Sequence, residues 1–321
     1  DSYLKTTLEV YAEAAATPDA QLCCTTSPVW ALPGLAVPAE MLEMNYGCGT
    51  TVHLQDLRED MTILYVGVGG GLEALQFAWF ARRAGGVVAV DPVPQMRAKA
   101  AANFAIAEAT NAWFSRDFVE IVHGDALNLP VADGSVDVAA QNCLFNIFTD
   151  QHRLRALREM HRVLAPGGRL VLSDPITPVE MPARLAADEH LRARCLSGAP
   201  TYEAYIADLV EAGFGTIEVR RRSPYRLLDA ETYGIDEDIL LESVEVVAIK
   251  DPMPEDGACV FTGKVAFWLG EGSFDDGKGH VLISEVPLSV CDKTSKALMS
   301  LGDPRIRVTE STWHYAGGGC C

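Results

Sequence analysis

Ile63-Leu64-Tyr65-Val66-Gly67-Val68-Gly69-Gly70-Gly71 decides the fold of this chain. Branched and aromatic residues in a short apolar run read as a buried strand. The glycines that follow permit positive φ and let the backbone approach a ligand closely. Glu73–Ala84 then reads as a helix, with Leu72, Leu75, Phe77, Trp79 and Phe80 mostly on its apolar side. Val87–Asp91 is a second strand and Gln95–Ala109 a second helix. Phe118–His123 is a third strand, running into Gly124-Asp125-Ala126. Val136–Ala140 is a fourth strand, followed by a helix over Gln151–Leu164, a stop at Pro166-Gly167-Gly168 and a fifth strand over Arg169–Ser173. This alternation predicts an α/β fold, a mostly parallel sheet with helices on both faces. Asp91 ends the second strand, where an acid can hold both hydroxyls of a ribose. A dinucleotide fingerprint needs glycine at position 72, where Leu72 stands, so the loop reads G-x-G-x-G.

Working outward, residues 1–60 read as an N-terminal extension with cysteine loops, with a helix over Ser2–Ala16 and then a proline-rich loop. Residues 61–175 form the nucleotide-binding domain. In 176–250 come helices over Ala183–Arg194 and Thr201–Ala212, then closing antiparallel strands Thr216–Tyr225 and Glu242–Lys250. Residues 251–321 read as a small α+β domain, with strands Cys259–Leu269, His280–Ser284 and Arg305–Thr309, helix Lys293–Leu301 and a glycine-rich tail ending Cys320-Cys321, mobile by composition.

The 321 residues carry 26 Lys plus Arg against 44 Asp plus Glu, a formal charge of −18. That charge disfavours nucleic acid and anionic membranes, whose affinity comes from cationic side chains. No stretch reads as a transmembrane helix. The nine cysteines are an odd number spread along a long, core-rich chain. This points to a reducing, cytoplasmic compartment rather than a disulfide framework.

G-x-G-x-G is the form seen in S-adenosylmethionine methyltransferases. Leu157–Leu170 resembles the helix–turn–strand that precedes the fifth strand in their class I members. The cofactor, S-adenosyl-L-methionine, is expected over Gly67, Gly69, Gly71, Asp91, Pro92, Met96, Asp125, Ala126 and Asn142, with Asp125 facing the adenine amino group. Amino-methylating relatives carry N-P-P-Y at the end of the fourth strand. Here Gln141-Asn142-Cys143-Leu144 puts a thiol there. Cys48 lies in Tyr46-Gly47-Cys48-Gly49, whose glycines leave its thiol accessible. Cys195 lies in Arg192-Ala193-Arg194-Cys195, where the cations can favour thiolate. None of these has the spacing of a structural zinc site.

These motifs, with Val290-Cys291-Asp292-Lys293-Thr294, resemble the arsenite methyltransferases, most closely a bacterial branch associated with arsenosugar biosynthesis. The resemblance implies a class I, Rossmann-like domain in which Cys143 and Cys195 bind trivalent arsenic. Cys48 is then a third sulfur or redox partner, and Cys24 a fourth acting cysteine, doubled here by Cys23. It makes 176–250 the arsenic-binding segment. It also implies a trivalent arsenical as substrate, and a thiol reductant, glutathione or thioredoxin, that reopens a cysteine disulfide. Two rivals stand beside it. One is methylation of another small molecule, with His152 or His190 as base. The other is a thiol-rich protein that only sequesters a soft metal.

Overall fold

The computed structural model describes residues 1–19, 22 and 30–315. The predicted alternation is present. Strands β1 (Ile63–Val66), β2 (Val87–Asp91), β3 (Val119–His123), β4 (Val136–Asn142) and β5 (Leu164–Ile176) pair in parallel. Two long strands, β6 (Thr216–Leu228) and β7 (Ile239–Ile249), finish the sheet with β8 (Cys259–Phe261), in the order β3-β2-β1-β4-β5-β7-β6-β8. Strand β7 runs against both its neighbours. Alternate residues of β1 serve opposite faces. Ile63 and Tyr65 join a core with helices α3 (Leu72–Ala81) and α4 (Pro94–Thr110). Leu64 and Val66 join the other core, with α5 (Asp150–Val163) and α8 (Tyr202–Glu211). Both faces are covered, as a parallel sheet requires.

Four further helices precede or interrupt this frame: α1 (Ser2–Ala16), α2 (Ala39–Glu43) and the pair α6 (Ala183–Ala186) and α7 (Glu189–Ala193). The sequence reads that pair as one helix. Asp188 breaks it, because its carboxylate accepts from the amides of His190 and Leu191 at 2.9 Å and so starts a new helix. Strand β5 begins five residues earlier than expected: Leu164 pairs with Val136 across the Pro166–Gly168 turn, with a register shift before Arg169 meets Val138. The expected strand Cys259–Leu269 is split at Gly263, whose φ is +82°. Its first half is β8, on the edge of the main sheet. Its second half, β9 (Val265–Trp268), pairs with β12 (Leu288–Ser289) and β13 (Ile306–Val308). Hairpin β10 (Ser273–Asp275) and β11 (Val281–Ile283), helix α10 (Asp292–Ser300) and, between β6 and β7, α9 (Ala230–Tyr233) complete the description. Among the described residues no helix is long and apolar enough to cross a membrane.

Candidate active site

Strand order reverses between β1 and β4, and a crevice opens there at the carboxyl ends of the strands. Its space, counted out into open solvent at the mouth, is about 1120 Å³. Every cofactor residue expected from the sequence lines it: Gly67, Gly69, Gly71, Asp91, Pro92, Met96, Asp125, Ala126 and Asn142. Gly67, Gly69 and Gly71 have φ of +84°, +51° and +91°, left-handed backbone that glycine adopts without strain. The Asp91 carboxylate accepts from the amides of Val68 at 3.0 Å and Val93 at 2.8 Å. It therefore ties the glycine loop to the start of α4. Burial pushes this carboxyl up to about 6, against the pull of those amides and of Arg97. Asp125 accepts from Leu127 N at 2.8 Å in a tight turn that exposes the acid and buries Ala126.

Cys143 also lines the crevice. Its φ is +58°, a left-handed backbone that is uncommon for a residue with a side chain. Two bonds hold that turn: Cys143 N donates to Ser173 O at 2.7 Å, and Leu144 N to Gln141 Oε1 at 2.7 Å. Gln141 in turn donates to Asp174, which Tyr205 also reaches at 2.7 Å. Burial pushes the Asp174 carboxyl up to about 7.

Cys195 has the same φ of +58°. It follows α7 at the position where a Schellman cap places glycine: Leu196 N donates to Leu191 O and Cys195 N to Arg192 O. A non-glycine residue there costs about 1–2 kcal/mol. The Cys195 thiol is fully buried and donates to Cys143 O at 2.6 Å. Gly198 permits this approach, since a Cβ there would overlap the carbonyl oxygen of Asn146. Cys48 is half-buried, and its sulfur lies 3.4 Å from Ser173 Oγ. Gly49 is needed for closeness: a Cβ would sit 2.6 Å from Ser173 Oγ. Ser173 thus touches Cys48 through its hydroxyl and Cys143 through its carbonyl. Three cysteines from segments far apart in sequence are thus linked through Ser173 and the Cys143 backbone, and of the three Cys143 lines the crevice. Among the described residues no three of His, Cys, Asp and Glu stand close enough together to hold a metal ion.

The arginines expected to act on Cys195 are engaged elsewhere. Arg192 donates to the carbonyls of Phe148 and Ala186, and Arg194 lies 3.8 Å from Asp19. His152 bonds Tyr3 OH, and His190 stands on α7 beside α1; neither lines the crevice. Cys291 begins α10 with its sulfur 3.2 Å from Thr294 Oγ1. In the same motif Asp292 pairs with Lys264, and Lys293 with Asp256. This motif stitches the last part of the chain together and lies off the crevice. Cys23, Cys24, Cys320 and Cys321 fall outside the described residues.

Two features escaped the sequence. Helix α1, read as a lead-in, walls the crevice with Leu4, Thr7, Leu8 and Tyr11. Tyr11 OH is 3.9 Å from the Cys195 sulfur, and Ser2 and Thr6 bond Glu189 on α7. Glu73 is buried in the first turn of α3 and lines the crevice as well. An acid as the one charged residue of α3 was the available signal.

Residues 64–172 match a methyltransferase domain family. The chain is 32% identical over 185 residues to an arsenite methyltransferase of Halobacterium salinarum, covering 58% of this chain and 45% of that protein. It is 34% identical over 187 residues to one from Aquipseudomonas alcaligenes, covering 55% and 51%. It therefore spans about half the length of the curated relatives it matches. An arsenic(III) S-adenosylmethionine methyltransferase from Chlamydomonas reinhardtii has the same fold, with TM-score 0.56 and 22% identity over 87% of this chain and 95% of that one. Residues 64–172 thus form a methyltransferase domain of class I fold, and rather more than half of the chain is similar to arsenite methyltransferases.

Proposed function

We propose that this protein transfers a methyl group to trivalent arsenic held by cysteine sulfur. The observation that carries this is the Cys195 thiol donating to the Cys143 carbonyl at the wall of the cofactor crevice. Both backbones are left-handed there, the kind of local cost that persists where a site requires it.

The crevice fits S-adenosylmethionine, with the glycine loop for close approach, Asp91 for the ribose, and Pro92 and Met96 beside the base. Bound there, the cofactor supplies an electrophilic methyl on sulfonium and leaves as a neutral thioether. Trivalent arsenic is thiophilic, so Cys143 and Cys195, with Cys48, outcompete oxygen ligands for it. Binding converts thiol protons and arsenic hydroxyls to water, with no net change of charge. The cysteines then aim the arsenic lone pair, and positioning supplies much of the rate. No base is needed, because this nucleophile carries no proton. Arsenic gives its lone pair to the new carbon bond and is oxidised by two electrons. Two cysteine sulfurs leaving as a disulfide return that pair, and a dithiol or glutathione reopens the disulfide.

Incubating the prereduced protein with arsenite, S-adenosylmethionine and a thiol reductant tests this. Methylated arsenic is the expected product. Cofactor binding with no methylated arsenical would leave a methyltransferase of some other acceptor.

A further inference from the structure

Glu73 receives five hydrogen bonds. Its Oε1 accepts from Thr51 N at 2.8 Å and Thr50 Oγ1 at 3.3 Å. Its Oε2 accepts from Thr51 Oγ1 at 2.9 Å, Tyr65 OH at 2.8 Å and Asn142 Nδ2 at 3.3 Å. Every partner is a donor, which a carboxylate satisfies and an amide does not. Asn142 carries the grip onward. Its Oδ1 accepts from Cys48 N at 3.2 Å, and its Nδ2 donates to Gly49 O at 2.9 Å. Gly47 lies so close that a Cβ would sit 2.8 Å from Asn142 Oδ1. The backbone from Cys48 to Thr51 is therefore held by three side chains, Glu73, Asn142 and Glu245, which accepts from Thr50 N at 3.1 Å; Glu73 and Asn142 line the cofactor crevice.

We infer that Glu73 and Asn142 are positioning residues, a clamp that places the Cys48 thiol and transmits to it whether the crevice is filled. Asn142 was expected to contact cofactor; this assigns it a second partner, the Cys48–Gly49 backbone. The coupling rests on the cofactor reading above, whereas the grip on Cys48 stands on the hydrogen bonds alone. A buried anchor with no bearing on the site would leave the reactivity of one thiol untouched. The clamp makes that reactivity the readout.

The experiment uses the full prereduced chain, alkylated with iodoacetamide and followed by mass spectrometry of the Cys48 peptide. Wild type is compared with Glu73→Gln, with and without S-adenosylhomocysteine, whose affinity is measured by calorimetry. Glu73→Gln turns an amide nitrogen toward donors and should speed Cys48 alkylation about tenfold, the scale of one or two net hydrogen bonds. S-adenosylhomocysteine should slow alkylation in wild type and leave the variant unaffected, although the variant still binds it. Thr51→Val deletes one hydroxyl donor at nearly constant volume, and should act in the same direction by about threefold. It decides the matter if Glu73→Gln does not fold. Equal Cys48 rates in wild type and in the folded variants overturn the clamp. So does loss of S-adenosylhomocysteine binding with Cys48 unmoved, which would make Glu73 a cofactor contact only. If wild type fails to bind S-adenosylhomocysteine, the cofactor reading falls, and the ligand-free rates still test the grip.

Discussion

The cofactor side and the thiol side of this site are built in opposite ways. The residues proposed to hold the cofactor stand at the ends of parallel strands: Gly67 after β1, Asp91 at the end of β2, Asp125 after β3 and Asn142 at the end of β4. The sheet aligns those ends whatever the loops do. The thiol side has no such frame. Cys48, Cys143 and Cys195 meet through left-handed turns and glycine-enabled contacts between a loop before the sheet, a strand end and a helix cap. A site on strand ends tolerates loop change. One assembled from loops depends on individual backbone positions.

The sharpest way to break the comparison is to remove sulfur while sparing the cofactor. Cys143→Ser and Cys195→Ser should each abolish arsenic methylation, since a protonated hydroxyl is a poor ligand for a soft centre. S-adenosylhomocysteine affinity by calorimetry should hold. Cys195→Gly is the stricter variant. It suits the left-handed cap, so folding should survive by circular dichroism while turnover is lost. Normal turnover in any of these would remove that sulfur from the site.

Gly198→Ala tests the packing rather than the chemistry. The added methyl must push the Cys195 loop off Asn146, and a displacement of about an ångström costs on the order of 100-fold in rate. Cofactor affinity should again be spared. Equal loss of cofactor binding would mean that the two sides are not separately built.

On the cofactor side, Asp91→Ala should weaken S-adenosylhomocysteine by ~1–3 kcal/mol, the cost of lost charge-assisted bonds. Acid should do the same reversibly. Burial raises the Asp91 carboxyl from an ordinary 3.8 to about 6, so the folded chain holds this proton more tightly than the unfolded one. Its contribution to stability is fully present below pH 3.8 and is lost as pH rises through 6. Cofactor affinity runs the other way: level above about pH 7, then falling by up to about tenfold per unit below 6 as the carboxylate is protonated. The step should vanish in Asp91→Asn.

Sequence made the first region legible for a physical reason. Glycine after a strand and an acid at the end of the next have few alternative uses, and periodicity located the strands. The cysteine motifs could be quoted from the sequence, but their meeting could not. No spacing rule connects residue 48 to 143 to 195. The Arg192 and Arg194 charges, plausible from proximity in sequence, turn instead to carbonyls and to Asp19. Glu73 and α1 were hidden because a buried acid and an amphipathic helix reveal their partners only once the chain has folded.

Cys48 carries the finest distinction. Inorganic arsenite offers three exchangeable positions and can take three sulfurs; methylarsenite offers two. If Cys143 and Cys195 are the two constant ligands, the third sulfur matters only for arsenite. Cys48→Ser should therefore lower arsenite turnover by about 10–100-fold, the range for losing a supporting group at a metal site. Methylarsenite should lose less in its first turnover with prereduced protein, where no disulfide needs recycling. Measuring both substrates in single and multiple turnover separates ligand from redox partner. A loss on methylarsenite that appears only in multiple turnover assigns Cys48 to recycling. Equal losses on both substrates in the first turnover would mean that Cys48 neither completes a three-sulfur site nor recycles a disulfide, and that its place beside Ser173 serves the loop instead.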